Sequence, residues 1–349
     1  MATARERRRC RERLDRLSES GLDCDALRRE AVADLQRVIG FDRWCWPLAD
    51  PESLLPASGI AQHDYVSAVS RSLELEYSTD RFAAKHVLAR CAKAATSMSA
   101  ETRGDLSRST RWDEAMRPVG IGDVATVACR DALGCWGWIE AYRDRSDRSF
   151  EEDDLELLAG VAPALGSALR RTMYADGPSA TTPAPQGPGV IVLDEALTPV
   201  SLTAAARSWL ETFPDAQMLA AYRMLPAVVY PAAATARSGT SGAGTHAIVQ
   251  SVDRRWLMIE AAKLDGGGGQ IAVTLRAATA AERFGLLCRA YALSQRERQV
   301  VAALVAGLDT QAISQRLFIS PYTVQDHLKS VFAKTAVRSR RELLARFSG

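Results

Sequence analysis

The 349-residue chain has little of what usually marks an enzyme or a secreted protein. Its seven cysteines are an odd number and include no Cys-x-x-Cys pair. That argues against a disulfide framework or zinc ribbon and for reduced, mostly buried thiols. The motifs Gly-x-Ser-x-Gly, His-Glu-x-x-His and Gly-Lys-Ser/Thr are all absent, so nothing points to catalysis and no enzyme is expected. The four histidines are scattered: His63, His86 and His246 do not form a metal set. Neither metal nor cofactor is expected. The most apolar stretch, 224–236, is interrupted by Pro226 and Pro231 and falls short of the ~20 residues of a spanning helix. No signal-peptide run follows the N-terminal arginines. The expectation is a cytoplasmic, nucleoid-associated protein with no membrane partner.

What is present is ordinary globular material, 47% hydrophobic and 25% charged, in a length that suggests two or three folded units. The net charge of +2 conceals an asymmetry. From Arg289 onward ten Lys+Arg face four Asp+Glu, whereas the rest of the chain is net acidic. A basic tail on an acidic body suggests that the tail meets a polyanion.

An Arg-rich helix is expected within residues 1–24, its arginines alternating with Glu6, Glu12 and Asp15 as on a solvated or dimer-forming helix. A second helix is read over 25–39, ended by Gly40. Strand-like runs at 41–48, 124–130 and 135–142 follow, the last two joined by a turn-prone Asp-Ala-Leu-Gly. A long helix over 151–171 opens with four acids and closes with Arg170 and Arg171, which suits the helix dipole; Pro163 predicts a kink within it. Residues 173–188, rich in Pro and Gly, read as a linker. Beyond it, strand-like runs recur at 190–193, 199–202, 246–252, 255–263 and 271–276, with a short helix over 204–212. The glycine run 266–269 joins two strands and precedes no helix with Lys-Ser/Thr, so it is a hairpin loop.

After Ala277 the pattern is helical to the end. Ser294-Gln-Arg-Glu297 and Ser339-Arg-Arg-Glu342 are capping boxes. Asp309 caps a short helix with Ile313 and Leu317 inward. Ser320 caps another, with Pro321 at the position that needs no N–H. In that helix Val324, Leu328 and Val331 form one stripe, while Tyr322, Gln325, Asp326, Lys329 and Ala333 form the opposite face. Two short helices joined by a tight turn, the second polar outside, describe a helix-turn-helix.

The run from Leu293 to Phe347 resembles the C-terminal domain of LuxR/FixJ/NarL-type transcription regulators, through its Arg-Glu-Arg, Gly-Leu, Ile-Ser-Pro-x-Thr-Val and Val-Arg-Ser-Arg segments. It departs from that pattern at Ser314, where alanine is usual, at Thr335-Ala336, in place of Leu-Gly, and at Gln325 and Asp326. The resemblance implies that the helix beginning near Ser320 reads double-stranded DNA in the major groove, that the chain is a homodimer, and that RNA polymerase is a further candidate partner. Lys329, Lys334, Arg338, Arg340 and Arg341, with the hydroxyls of Ser320, Tyr322 and Thr323, are candidate phosphate contacts. Gln325 suits adenine, Asp326 cytosine and Lys329 guanine.

Residues 25–172 resemble a GAF domain and 189–277 a PAS domain. The expected fold is thus α+β multidomain: two antiparallel-sheet domains followed by an all-α four-helix domain over 285–349. Both resemblances imply a small-molecule pocket, for which Trp44, Trp46, Trp136 and Trp138 are candidates, although aromatic residues at period two ordinarily belong to a core. No βα alternation suggests a phosphorylatable receiver. The function expected is a DNA-binding regulator with ligand- or partner-sensing domains. The alternatives are a regulator whose body is only a scaffold, and an enzyme with a nucleic-acid-binding tail.

Overall fold

A computed structural model describes residues 2–62, 66–173, 185–214, 216–239, 243–266 and 268–348. His63 and most of the expected linker 173–188 lie outside the described residues. Two compact units emerge, one running to Ala277 and one from Ala278 onward.

The first unit opens with α1 (Ala4–Ser18), where Thr3 and Glu6 form a capping box and Cys10 and Leu14 are buried. In α2 (Cys24–Ile39) the Asp23 carboxylate accepts from the amides of Asp25 and Ala26, at 3.0 and 2.9 Å. Gly40 ends the helix at φ 72°, a left-handed conformation that costs glycine little. Strands β1 (Arg43–Ala49) and β2 (Pro56–Gln62) lead to α3 (Val66–Glu76), α4 (Lys85–Leu88), β3 (Ala95–Ser97) and α5 (Met98–Thr102). The hairpin β4 (Ile121–Asp131) and β5 (Gly134–Asp144) is longer at both ends than the apolar alternation indicates. α6 (Glu152–Met173) runs without interruption through Pro163, whose ring lies on the exposed side. Its stripe of Leu158, Val161, Ala162, Leu165 and Leu169 packs on the sheet. Gly166 permits that approach: a Cβ there would stand 2.6 Å from the Arg130 amide nitrogen of β4.

The strands form an antiparallel sheet ordered β2-β1-β5-β4-β3. The next stretch builds a second one from β6 (Gly189–Leu193), β7 (Pro199–Leu202), β8 (His246–Gln250), β9 (Trp256–Lys263) and β10 (Ile271–Ala277). Its order is β7-β6-β10-β9-β8, the same 2-1-5-4-3 arrangement when its strands are counted from one. Helices α7 (Ala204–Leu210), α8 (Ala216–Ala221) and α9 (Val229–Ser238) lie between β7 and β8 in sequence.

The two sheets share apolar core. Leu55, Leu73 and Tyr77 from the first part of the chain belong to the same buried cluster as Ile191, Trp209, Val229, Ile259 and Val273 from the second. Polar contacts follow the same junction. Asp50 Oδ2 accepts from the Ile248 amide at 2.8 Å, and the Gly244 amide donates to the Ser53 carbonyl at 2.9 Å. Burial pushes the Asp50 carboxyl up, against three amide donors that hold it charged.

The second unit is helical: α10 (Ala280–Ala290), α11 (Gln295–Val305), α12 (Thr310–Leu317), α13 (Pro321–Thr335) and α14 (Arg340–Ser348). Val300, Val301, Leu304, Ile313, Val324, Leu328, Val331, Leu343 and Phe347 fill its core. α10 closes on α14 through the Phe284 and Phe347 rings, 5.6 Å apart. Among the described residues no helix is long and apolar enough to cross a membrane.

Candidate nucleic-acid interface

The geometry of the tail starts from its caps. Ser294 Oγ accepts from the Glu297 amide at 3.3 Å, and the Ser294 amide donates back to Glu297 Oε2 at 2.6 Å. Asp309 Oδ1 accepts from the Ala312 amide at 2.8 Å and starts α12. α12 ends at Phe318, which adopts φ 54° and is 94% exposed. A left-handed phenylalanine with its ring in solvent is costly on both counts. It makes the turn tight, since the Ile319 amide folds back to the Ser314 carbonyl at 3.1 Å. Ser314 is buried, as a small residue can be where α12 and α13 meet.

Ser320 Oγ then accepts from the Thr323 amide at 3.0 Å and fixes the start of α13. Val324, Leu328 and Val331 turn inward. Tyr322, Gln325, Asp326, Lys329 and Ala333 are exposed together on the opposite side. Lys329 Nζ lies 3.5 Å from Asp326 Oδ1 and 6.0 Å from the centre of the Tyr322 ring. Both partners of the ion pair are more than half exposed, so it holds Lys329 only weakly.

The basic residues do not all behave alike. Arg338 is exposed at the start of the last helix. Arg340 is half-buried and donates to Thr310 Oγ1. Lys334, expected among the phosphate contacts, is already engaged: its Nζ lies 2.7 and 2.9 Å from the two Glu297 carboxylate oxygens and 3.3 Å from the Ala292 carbonyl. Glu297 also accepts from Ser330 Oγ at 2.6 Å. Burial would raise the Glu297 carboxyl, but the bonds from Lys334, Ser330 and Ser294 outweigh it and bring it down to about 2. Sequence spacing shows Glu297 only as a capping residue. Its pairing 37 residues away needs the folded core, and no local pattern signals it.

The expected pocket tryptophans are core residues. Trp44, Trp46, Trp136 and Trp138 are all buried. Trp44 Nε1 donates to Gln62 Oε1, Trp136 Nε1 to Asp131 Oδ1 and Trp138 Nε1 to the Lys85 carbonyl. The first sheet does border a cavity of about 80 Å³, but none of these four lines it. Its wall includes Cys45, Leu73, Lys85, Met116, Glu140 and Tyr142. Lys85 Nζ sits 2.6 Å from Glu76 Oε2 and 2.8 Å from Glu140 Oε1, and Arg111 Nη1 lies 2.8 Å from Glu76 Oε2, all nearly shut off from solvent.

Every cysteine is a free thiol. Burial pushes Cys135 up to about 12 and Cys129 well above its ordinary value, while Cys91 is exposed. His86 lies against the Tyr77 ring and is pushed down to about 4 by burial. Among the described residues no cluster could hold a metal ion.

Comparison with known proteins places this helical tail. Residues 291–347 match the family model described as bacterial regulatory proteins, luxR family. The transcriptional regulatory protein FixJ of Rhizobium meliloti is 46% identical over 56 residues, covering 16% of this chain and 28% of that protein. The monoamine regulon transcriptional regulator of Klebsiella aerogenes is 41% identical over 54 residues, 16% of this chain and 24% of that one. The putative HTH-type transcriptional regulator Rv0890c of Mycobacterium tuberculosis is 46% identical over 52 residues, 15% and 6% of the two chains. The matches thus span less than a third of each of these relatives. Among solved structures, the bacteriophytochrome RpBphP3 of R. palustris aligns over 78% of this chain and 62% of its own, at a TM-score of 0.32 and 12% identity.

Proposed function

We propose, from the luxR-family helix-turn-helix domain at residues 291–347, that this protein is a sequence-specific transcription regulator acting in the cytoplasm as a dimer on DNA. The observation that carries the reading is the two-sided character of α13. Its apolar stripe is buried, and Tyr322, Gln325, Asp326 and Lys329 are presented together behind a hydroxyl-capped N-terminus. A helix of this kind enters the major groove with its N-terminal residues leading.

In this reading Ser320, Tyr322, Thr323, Arg338 and Arg340 position the domain on phosphates, and Gln325, Asp326 and Lys329 face base edges. One such module buries little DNA surface, which favours two copies on a two-fold site. The first unit is the input: it senses a small molecule or a partner and biases the arrangement of the two heads. The cavity beside the first sheet favours sensing over a body that serves only as a scaffold.

Genome-wide footprinting of the purified full chain tests the reading. The expected result is a small set of protected sites with two-fold symmetry, weakened by Lys329→Ala. Uniform, sequence-blind protection would overturn it.

A further inference from the structure

The cavity beside the first sheet combines an apolar lining with one polar end. Cys45 of β1 stands directly across from Glu140 of β5, so both point to the same face of the sheet, and Tyr142 follows two residues on. Ala68, Val69, Ser72 and Leu73 of α3 cover that face, with Ala115 and Met116 beside them. Small side chains at Cys45, Ala68, Ser72 and Ala115 leave the space open.

The polar end is electrically balanced. Lys85 is shared between Glu76 and Glu140, Arg111 lies on Glu76, and the Tyr142 hydroxyl donates to Glu140 Oε2 at 3.1 Å. Within this set two carboxylates and two cations cancel, and all four side chains are 7% exposed or less; the buried Asp80 carboxylate acts on Arg111 but does not line the cavity. A charged guest would leave an uncompensated buried charge beside this set, which is heavily disfavoured. A guest with no polar atom would waste the Ser72 hydroxyl and the remaining acceptor positions of the Glu140 carboxylate at the wall. The volume, about 80 Å³, is roughly half the ~150 Å³ of an apolar cavity that takes up benzene, so the enclosed part of a guest has about three non-hydrogen atoms.

We propose that this cavity binds a compact, electrically neutral ligand, apolar over most of its surface and carrying one hydroxyl-type group that meets the Glu140–Tyr142 end. Its role as the sensed signal rests on the regulatory reading above; the binding itself does not require DNA. The site also touches the junction of the two sheets. Leu73 belongs both to its wall and to the common core, and Ala227, from the segment before α9, closes one side. A filled cavity therefore stiffens the place where the halves of the first unit meet.

The test uses saturation-transfer NMR on the full chain with three probes of one size: n-butanol, butyrate and n-butylammonium. The expected result is a saturable butanol signal at least fivefold above those of the two ions. It disappears in Ala115→Leu and in Ala68→Leu, each shown to be folded by its tryptophan fluorescence. No saturable butanol signal, ions that bind as well as the alcohol, or a signal that survives in a folded, filled variant would each overturn the proposal. Failure of footprinting would count against the regulator assignment alone, because this readout contains no DNA.

Discussion

Glu297 Oε2 lies 2.7 Å from Lys334 Nζ, and this pair ties the first turn of α11 to the last turn of α13. The glutamate is almost fully buried, and Ser294 and Ser330 complete its hydrogen bonding. One carboxylate thus caps a helix, neutralises a lysine and pins the last turn of α13.

Lys334→Ala is expected to destabilise the tail by about 1–3 kcal/mol, the range for a hydrogen bond to a buried charged group. Hydrogen exchange of peptides from α11 and α13 measures it. The salt dependence of DNA binding is expected to stay the same, since this ammonium is already neutralised. A slope reduced by about 0.9 with unchanged exchange would assign Lys334 to a phosphate instead.

Acid should weaken the same contact. The Glu297 carboxyl titrates at about 2 in the fold, below its ordinary 4.5, so the unfolded chain takes up its proton first as pH falls. The contribution is complete above about pH 4.5 and lost progressively toward pH 2. Exchange protection of α11 measured between pH 6 and 3 should begin to fall below about pH 4.5 in the native chain, and Glu297→Gln should flatten that fall.

Lys329→Ala and Gln325→Ala are each expected to cost about 1–3 kcal/mol of specific affinity. Lys329→Ala should leave non-specific binding nearly unchanged if the lysine meets a base. If it meets a phosphate, affinity should fall for all sequences and the salt slope should drop by about 0.9. Titrations at several salt concentrations, with specific and scrambled duplexes, separate the two.

Ala336 holds φ 53° at the end of α13, a position that glycine occupies at lower cost. Ala336→Gly is expected to stabilise the tail by about 0.5–1 kcal/mol, after allowing for the greater freedom of glycine in the unfolded chain. A higher melting temperature for the helical signal checks it. A lower one would mean that the methyl group packs usefully.

In the first unit, Glu76→Gln should be severe. It removes the carboxylate that both Lys85 and Arg111 contact and leaves Glu140, with the weaker field of Asp80, to answer them, a loss of about 3–5 kcal/mol. All seven tryptophans precede Ala278, so denaturant unfolding followed by tryptophan fluorescence reports this unit selectively.

How much of this was legible in the sequence differs between the two units. In the tail four of the five helix starts are read locally, in Ser294, Asp309, Ser320 and Ser339, while the Thr279–Glu282 capping box of α10 is not, and the inward stripe of α13 repeats at helical spacing. Eight of the ten strands were legible as strand-like runs, because a half-buried strand shows its two faces directly; β2 and the three-residue β3 were not. Lys85, Arg111 and Glu140 were not, since buried charges look like surface charges until the fold sets them against one another. The tryptophans follow the ordinary rule that period-two aromatics mark a packed face, and the cavity lies instead where small residues, Cys45, Ala68 and Ala115, leave a gap. An absence of volume has no sequence signature.

Leu55, Leu73 and Tyr77 lie within the apolar cluster built mainly by the second sheet. Either sheet expressed alone would present a greasy scar to water and be prone to clump. A protease that nicks the chain between Met173 and Gly189 should accordingly release no free pieces: the fragments stay together through gel filtration and come apart only in denaturant.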